Sequence, residues 1–157
     1  MWKLWITFAA VAAFSAGAAQ AGNPIQQGEI RAKVEAPVFL GPTPACPVLR
    51  AHTRLVSEAG AAIGSSLFCV ARLDEATASQ TQTGTLTLHL PGGEIVTHAV
   101  IVDDFGVYPI VQTISGTVED AGGHYRGATG TLSGGGTIVF DENGRPVPDS
   151  TLVVDLA

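Results

Sequence analysis

The chain has 157 residues, a formal net charge of −6 and 46% hydrophobic residues. This length suits one domain, and the acidic balance excludes nucleic acid as an expected partner. The hydrophobic content excludes a disordered chain, and a charged content of 14% together with 19 glycines and 9 prolines excludes a long-helix or coiled-coil protein.

Residues 1–21 have the features of a signal peptide. Lys3 precedes an apolar run from Leu4 to Ala18, and Ala19-Gln20-Ala21 has the small-x-small pattern that signal peptidases cleave. A run of about fifteen apolar residues is short for a bilayer span, so a membrane anchor fits less well. We therefore predict a secreted or periplasmic protein with no membrane association after cleavage.

Cys46 and Cys69 are the two cysteines of the chain. In an exported small domain, two cysteines are more often paired than free. A bridge between them would close a loop of about two dozen residues and stabilise the fold by roughly 3 kcal/mol. Their spacing fits neither a redox Cys-x-x-Cys motif nor a zinc site. We expect a disulfide, although the spacing leaves open whether the two backbones approach closely enough.

Alternation of apolar and polar residues in some segments, an apolar run covered on both faces at 62–72, and the turns between them predict eight strands in a single domain, residues 22–157. Residues 22–47 form a polar and proline-rich N-terminal segment with one strand, Glu29 to Ala36. Its four prolines predict an irregular connection from residue 37 to residue 47. Residues 48–157 form the predicted barrel body, with strands at 48–57, 62–72, 80–90, 94–103, 108–115, 126–140 and 151–156.

Short turns connect these strands. Threonines alternate with leucines before Pro91-Gly92-Gly93, which is a specific hairpin pattern, and Asn143-Gly144 is a second strong turn. Eight short strands with hairpin turns predict an all-β fold, either an eight-stranded antiparallel β-barrel or a sandwich. The glycines within residues 126–140 are typical of the bends that a small barrel needs to close.

Residues 123–130, Gly-His-Tyr-Arg-Gly-Ala-Thr-Gly, resemble the Gly-x-aromatic-x-Gly-Ala-x-Gly signature of the allene oxide cyclase and dirigent-like barrel superfamily. The order of Gly60, residues 64–66, 69–72 and 90–93 is similar to that of its secreted bacterial members. The resemblance covers about residues 60–156. It implies a calycin-type eight-stranded antiparallel barrel with a central cavity, commonly assembled as a homotrimer.

The functional residues of that superfamily are matched only in part. Plant dirigent proteins carry an acidic residue near the position of Gly123 and an arginine near that of Thr129, and this chain has neither side chain. The cyclase branch relies on an acidic residue near the first strand, for which Glu35 is a candidate by position.

The strands and their ends supply further candidate site residues. At a cavity mouth, Tyr125 and Arg126 would orient an anionic or phenolic ligand, so they join Glu35 as catalytic candidates. Phe68, Tyr125 and Arg72 are the candidate ligand-binding residues. An arginine facing a barrel interior would need an acidic partner or a ligand carboxylate, whereas facing solvent is the simpler alternative.

Two other clusters have ordinary explanations. Asp103 and Asp104 fit a solvated turn, although at a barrel mouth they would orient a polar ligand group. His89 and His98, with Glu94 between them, have a spacing compatible with zinc, but such residues are more often ordinary strand residues.

We predict no metal and no cofactor. The chain also contains neither a Gly-x-Ser-x-Gly elbow nor a phosphate-binding loop.

Three functions are compatible with these features. The predicted one is a secreted barrel that binds a small hydrophobic molecule in its central cavity. A dirigent- or cyclase-like enzyme of the isomerase class would use the same cavity to steer the cyclisation or coupling of a reactive intermediate. A third alternative is a structural exported trimer without a ligand.

Overall fold

The computed structural model describes residues 24–157. The predicted signal peptide, residues 1–21, lies outside the described residues. Within the described part the chain forms nine strands and one short 3-10 helix, Gly123–Tyr125. The strands are β1 (Gly28–Val34), β2 (Val38–Leu40), β3 (Leu49–Val56), β4 (Ala62–Glu75), β5 (Ser79–Leu90), β6 (Gly93–Asp104), β7 (Ile110–Ala121), β8 (Gly130–Phe140) and β9 (Pro146–Leu156).

Eight of the strands close into an antiparallel barrel. Consecutive strands from β3 to β9 pair as neighbours, β9 pairs with β1, and β1 closes the circle by pairing with β3. The ninth strand, β2, adds to the outer edge of β3. Closure leaves each barrel strand with a partner on both sides, which removes the exposed edges of an open sheet. The predicted all-β, eight-stranded antiparallel barrel is confirmed.

All eight predicted strands are present, and several of their ends differ from the prediction. β7 ends at Ala121, which is later than predicted, and β9 begins at Pro146, which is earlier than predicted. The proline-rich connection contains β2, because Val38–Leu40 lies between prolines and keeps its backbone donors. In the N-terminal segment, β1 pairs along its whole length with β9, so this segment is part of the barrel.

The barrel is filled with side chains at one end. Alternate residues of each strand point inward, and at this end they form a packed apolar core with Leu88, Ile95, Leu132 and Val154 at its centre. The short 3-10 helix between β7 and β8 covers the same end, where Tyr125 is buried in the core. We call this the closed end.

β8 contains three successive glycines, Gly134–Gly136, at which an added side chain would meet the backbone of a neighbouring strand. Gly134 has a φ of +147°, and a Cβ atom there would collide with the carbonyl oxygen of Thr151 on β9. Gly134 and Gly136 pair with Ile114 and Gln112 on β7, whose side chains point into the barrel. These glycines therefore leave part of the barrel interior without side chains.

A disulfide joins Cys46 to Cys69, with the two Cα atoms 5.1 Å apart. It ties the connection between β2 and β3 to β4. The predicted pairing is confirmed. No helix within residues 24–157 is long and apolar enough to cross a membrane.

Candidate functional site

The half of the barrel opposite the closed end contains a cavity of about 470 Å³. Most of its wall is apolar and comes from inward-facing residues of the barrel strands. Phe68 and Leu86 contribute from β4 and β5, Ile101 and Ile114 from β6 and β7, and Leu152 from β9. This volume lies within the range of about 300–1,000 Å³ that is typical of small-molecule sites.

Three phenylalanines lie at the mouth of the cavity, which we call the open end. Phe39 on β2, Phe105 after β6 and Phe140 on β8 all line the cavity, and they are 60%, 48% and 50% exposed. Large apolar side chains exposed in one place indicate a contact surface more often than scattered ones do. An apolar molecule entering the barrel would first meet these rings.

A polar group is built into the cavity wall near this mouth. Asp103, at the end of β6, is only 5% exposed. Its Oδ2 atom accepts hydrogen bonds from Nε2 of Gln82 at 3.1 Å and Nε2 of Gln80 at 3.4 Å, and its Oδ1 atom accepts one from Nε2 of Gln112 at 2.9 Å. We call these four residues the Asp103 cluster. Three amide donors satisfy a buried carboxylate that would otherwise be costly to keep out of water.

The remaining polar side chains of the wall are paired with each other. The Oγ1 atom of Thr53 and the Oγ atom of Ser66 lie 2.7 Å apart on the neighbouring strands β3 and β4. A hydroxyl pair of this kind satisfies itself across a sheet. The Asp103 cluster is therefore the polar feature of the wall that carries a charge.

Strand register explains why the cluster forms. Gln80 and Gln82 have the same parity on β5 as Leu86, which points inward, so their amides also point into the barrel. Gln80 pairs directly with Asp103 across β5 and β6, and Asp103 pairs with Gln112 across β6 and β7. Directly paired residues of antiparallel strands lie on one face. Three adjacent strands therefore direct these side chains to one point.

The three residues that the sequence predicts to bind a ligand lie in different parts of the barrel. Phe68 lines the cavity. Tyr125 lies at the closed end, where it is buried and its hydroxyl lies 3.5 Å from the carbonyl oxygen of Pro91. Arg72 faces solvent and pairs with Asp74 at 2.7 Å. Of these three, Phe68 is the one that lies in the cavity wall.

The predicted catalytic residues are also far apart. Arg126 follows the 3-10 helix and is exposed. Glu35 follows β1, where its carboxylate lies 3.7 Å from the guanidinium of Arg54. Glu35 lines a second pocket together with Lys33 and Asp149, outside the cavity. Tyr125, Arg126 and Glu35 are therefore not assembled around one point.

The preferred explanation of Asp103 and Asp104 as a solvated turn pair is wrong for Asp103. Asp103 is the second-last residue of β6 and points into the barrel, because it has the same parity as the buried residues Ile95 and Ala99. Asp104 is exposed, and its Oδ1 atom accepts a hydrogen bond from the backbone N–H of Gly106 at 2.8 Å. The two adjacent carboxylates thus point to opposite faces of the sheet.

The two histidines of the β5–β6 hairpin lie at different places along it. His89 and His98 are both exposed, and the Nδ1 atom of His89 lies 3.3 Å from a carboxylate oxygen of Glu94. His98 pairs with Thr85 further along the hairpin. Among residues 24–157, no group of three or more His, Cys, Asp and Glu side chains is placed to hold a metal ion.

Comparisons of the chain with protein-family models, with curated proteins and with solved structures found no match.

Proposed function

We propose that this barrel binds one small, mainly apolar molecule in its cavity. The observation that carries the proposal is the cavity itself, about 470 Å³ of space with a largely apolar wall and a mouth surrounded by phenylalanines. Protein interiors are normally packed without voids of this size. The closed end of the same barrel is packed in that way, so the unfilled half is a specific feature of this fold.

The proposed role is binding rather than catalysis. Tyr125, Arg126 and Glu35, the candidates for a cyclase- or dirigent-like reaction, lie outside the cavity wall. Membership of the allene oxide cyclase and dirigent-like superfamily, and export from the cytoplasm, belong to the same proposal. The closed barrel and the Cys46–Cys69 disulfide support them.

A fluorescence titration with N-phenyl-1-naphthylamine tests the proposal, because this neutral aromatic probe emits strongly only in an apolar environment. We expect saturable binding of one probe molecule per barrel. Absence of saturable binding to the folded protein would overturn the proposal.

Filling the cavity tests whether the probe binds inside the barrel. Ala51 lines the cavity and pairs with Phe68 across β3 and β4, so the Ala51→Phe ring would project into the space that the ligand needs. We expect the affinity for the probe to fall about tenfold or more. Ala71→Phe is the matched control, because Ala71 is exposed on β4 and should leave the affinity unchanged. Equal affinities of the two variants would contradict binding in the cavity.

A further inference from the structure

The cavity wall has a single sign of charge. Asp103 is the acidic residue among the residues that line the cavity, and that lining contains no lysine, arginine or histidine. The carboxylate is therefore held by three neutral amides and has no cationic partner in the wall. A buried charge of this kind favours an opposite charge beside it and disfavours a like one.

The hydrogen bonds within the cluster leave room for a ligand. A carboxylate offers about four lone-pair positions, and three amide donors occupy three of them in Asp103. Because each glutamine donates through Nε2, its Oε1 oxygen is left to accept a further hydrogen bond. The cluster thus presents one carboxylate position and three amide carbonyls to a hydrogen-bond donor.

We propose that the Asp103 cluster recognises a protonated primary amine at one end of an apolar ligand. This inference rests on the proposed function, and it specifies the chemistry of the ligand's polar end. An ammonium group has three N–H donors, which suit the remaining acceptors of the cluster, and its charge compensates that of Asp103. An alcohol supplies one donor and no charge, and a carboxylate adds a second negative charge.

Three ligands with the same alkyl chain separate these possibilities: octylamine, octanol and octanoate at neutral pH. Each is titrated against wild-type protein loaded with N-phenyl-1-naphthylamine, and displacement of the probe gives its affinity. Hydrogen bonds that involve a charged group are roughly twice as strong as neutral ones. We expect octylamine to bind about tenfold or more tightly than octanol, and octanoate to bind more weakly than octanol.

The variant Asp103→Asn removes the charge and nearly preserves the shape of the side chain. It should reduce the preference for octylamine over octanoate to within about threefold, each affinity being calculated from displacement with the variant's own affinity for the probe. The matched control is Asp104→Asn, because it removes the neighbouring charge at an exposed position, and Asn can still accept the hydrogen bond from Gly106. This control should keep the wild-type preference.

The outcomes distinguish the two proposals. If the probe and octanol bind but octylamine shows no preference over octanoate, amine recognition is wrong and the binding function stands. If the probe does not bind at all, both proposals fail. If the preference for octylamine survives in Asp103→Asn, or disappears equally in Asp104→Asn, it comes from the overall charge of the protein. Either result would overturn the role of the cluster. If Asp103→Asn does not fold, the wild-type comparison still overturns amine recognition when octylamine shows no preference, and Asp104→Asn still tests the effect of the overall charge.

Discussion

At the scale of single residues, the important side chain is a buried carboxylate that the sequence makes look exposed. Two adjacent aspartates before Phe105-Gly106 are typical of a solvated turn, although Asp103 has the parity of Ile95 and Ala99 on β6. The glutamines gave a usable signal, since Gln80 and Gln82 share the parity of the leucines on their strand. Polar residues on an apolar face predict a buried polar group, but its partner depends on register across three strands.

Replacing Gln112 tests whether the amides support this carboxylate. The Gln112→Leu side chain has a similar size but removes the donor that lies 2.9 Å from the Oδ1 atom of Asp103. Leaving a buried acceptor without its donor should lower the free energy of unfolding by about 1–3 kcal/mol, measured by urea denaturation at neutral pH. Thr113→Val, an exposed neighbour on β7, should change it by less than about 0.5 kcal/mol. Equal stability of the two variants would contradict the account.

At the scale of strands, the pattern of alternation, apolar runs and turn residues was sufficient to locate all eight barrel strands. It failed where alternation is interrupted. The register of β6 with β7 shifts by one residue between Val96 and Thr97, before the end of β7 at Ala121, and the short strand β2 has no alternation at all. The glycines of β8 were correctly predicted to lie in a strand. The backbone atoms that approach them could be identified only from the structure.

Gly134→Ala tests those contacts. The added methyl group would meet the backbone of β9 at the carbonyl oxygen of Thr151, and a φ of +147° is unfavourable for alanine. We expect the free energy of unfolding to fall by about 2 kcal/mol or more. Ser133→Ala, exposed on the same strand, should have a much smaller effect. An alanine at position 134 that is tolerated as well as one at position 133 would show that β8 and β9 are not packed this closely.

At the scale of the whole molecule, the barrel has a packed end and an open end, and the cavity lies between them. Phe68 lies in the cavity wall, whereas Tyr125, the other aromatic residue predicted to bind a ligand, lies at the closed end. The sequence could not separate these two aromatic residues, because both occupy apolar positions and only closure of the barrel shows which end each of them occupies. Homotrimer assembly and secretion stay predictions.

The central claim, that the cavity accepts an apolar molecule, is tested most directly by a crystal structure of the protein grown with saturating N-phenyl-1-naphthylamine. We predict electron density for one probe molecule inside the barrel, in contact with Phe68 and Ile114, both of which line the cavity. A cavity filled by the protein's own side chains, or a probe bound only on the outer surface of the barrel, would contradict it.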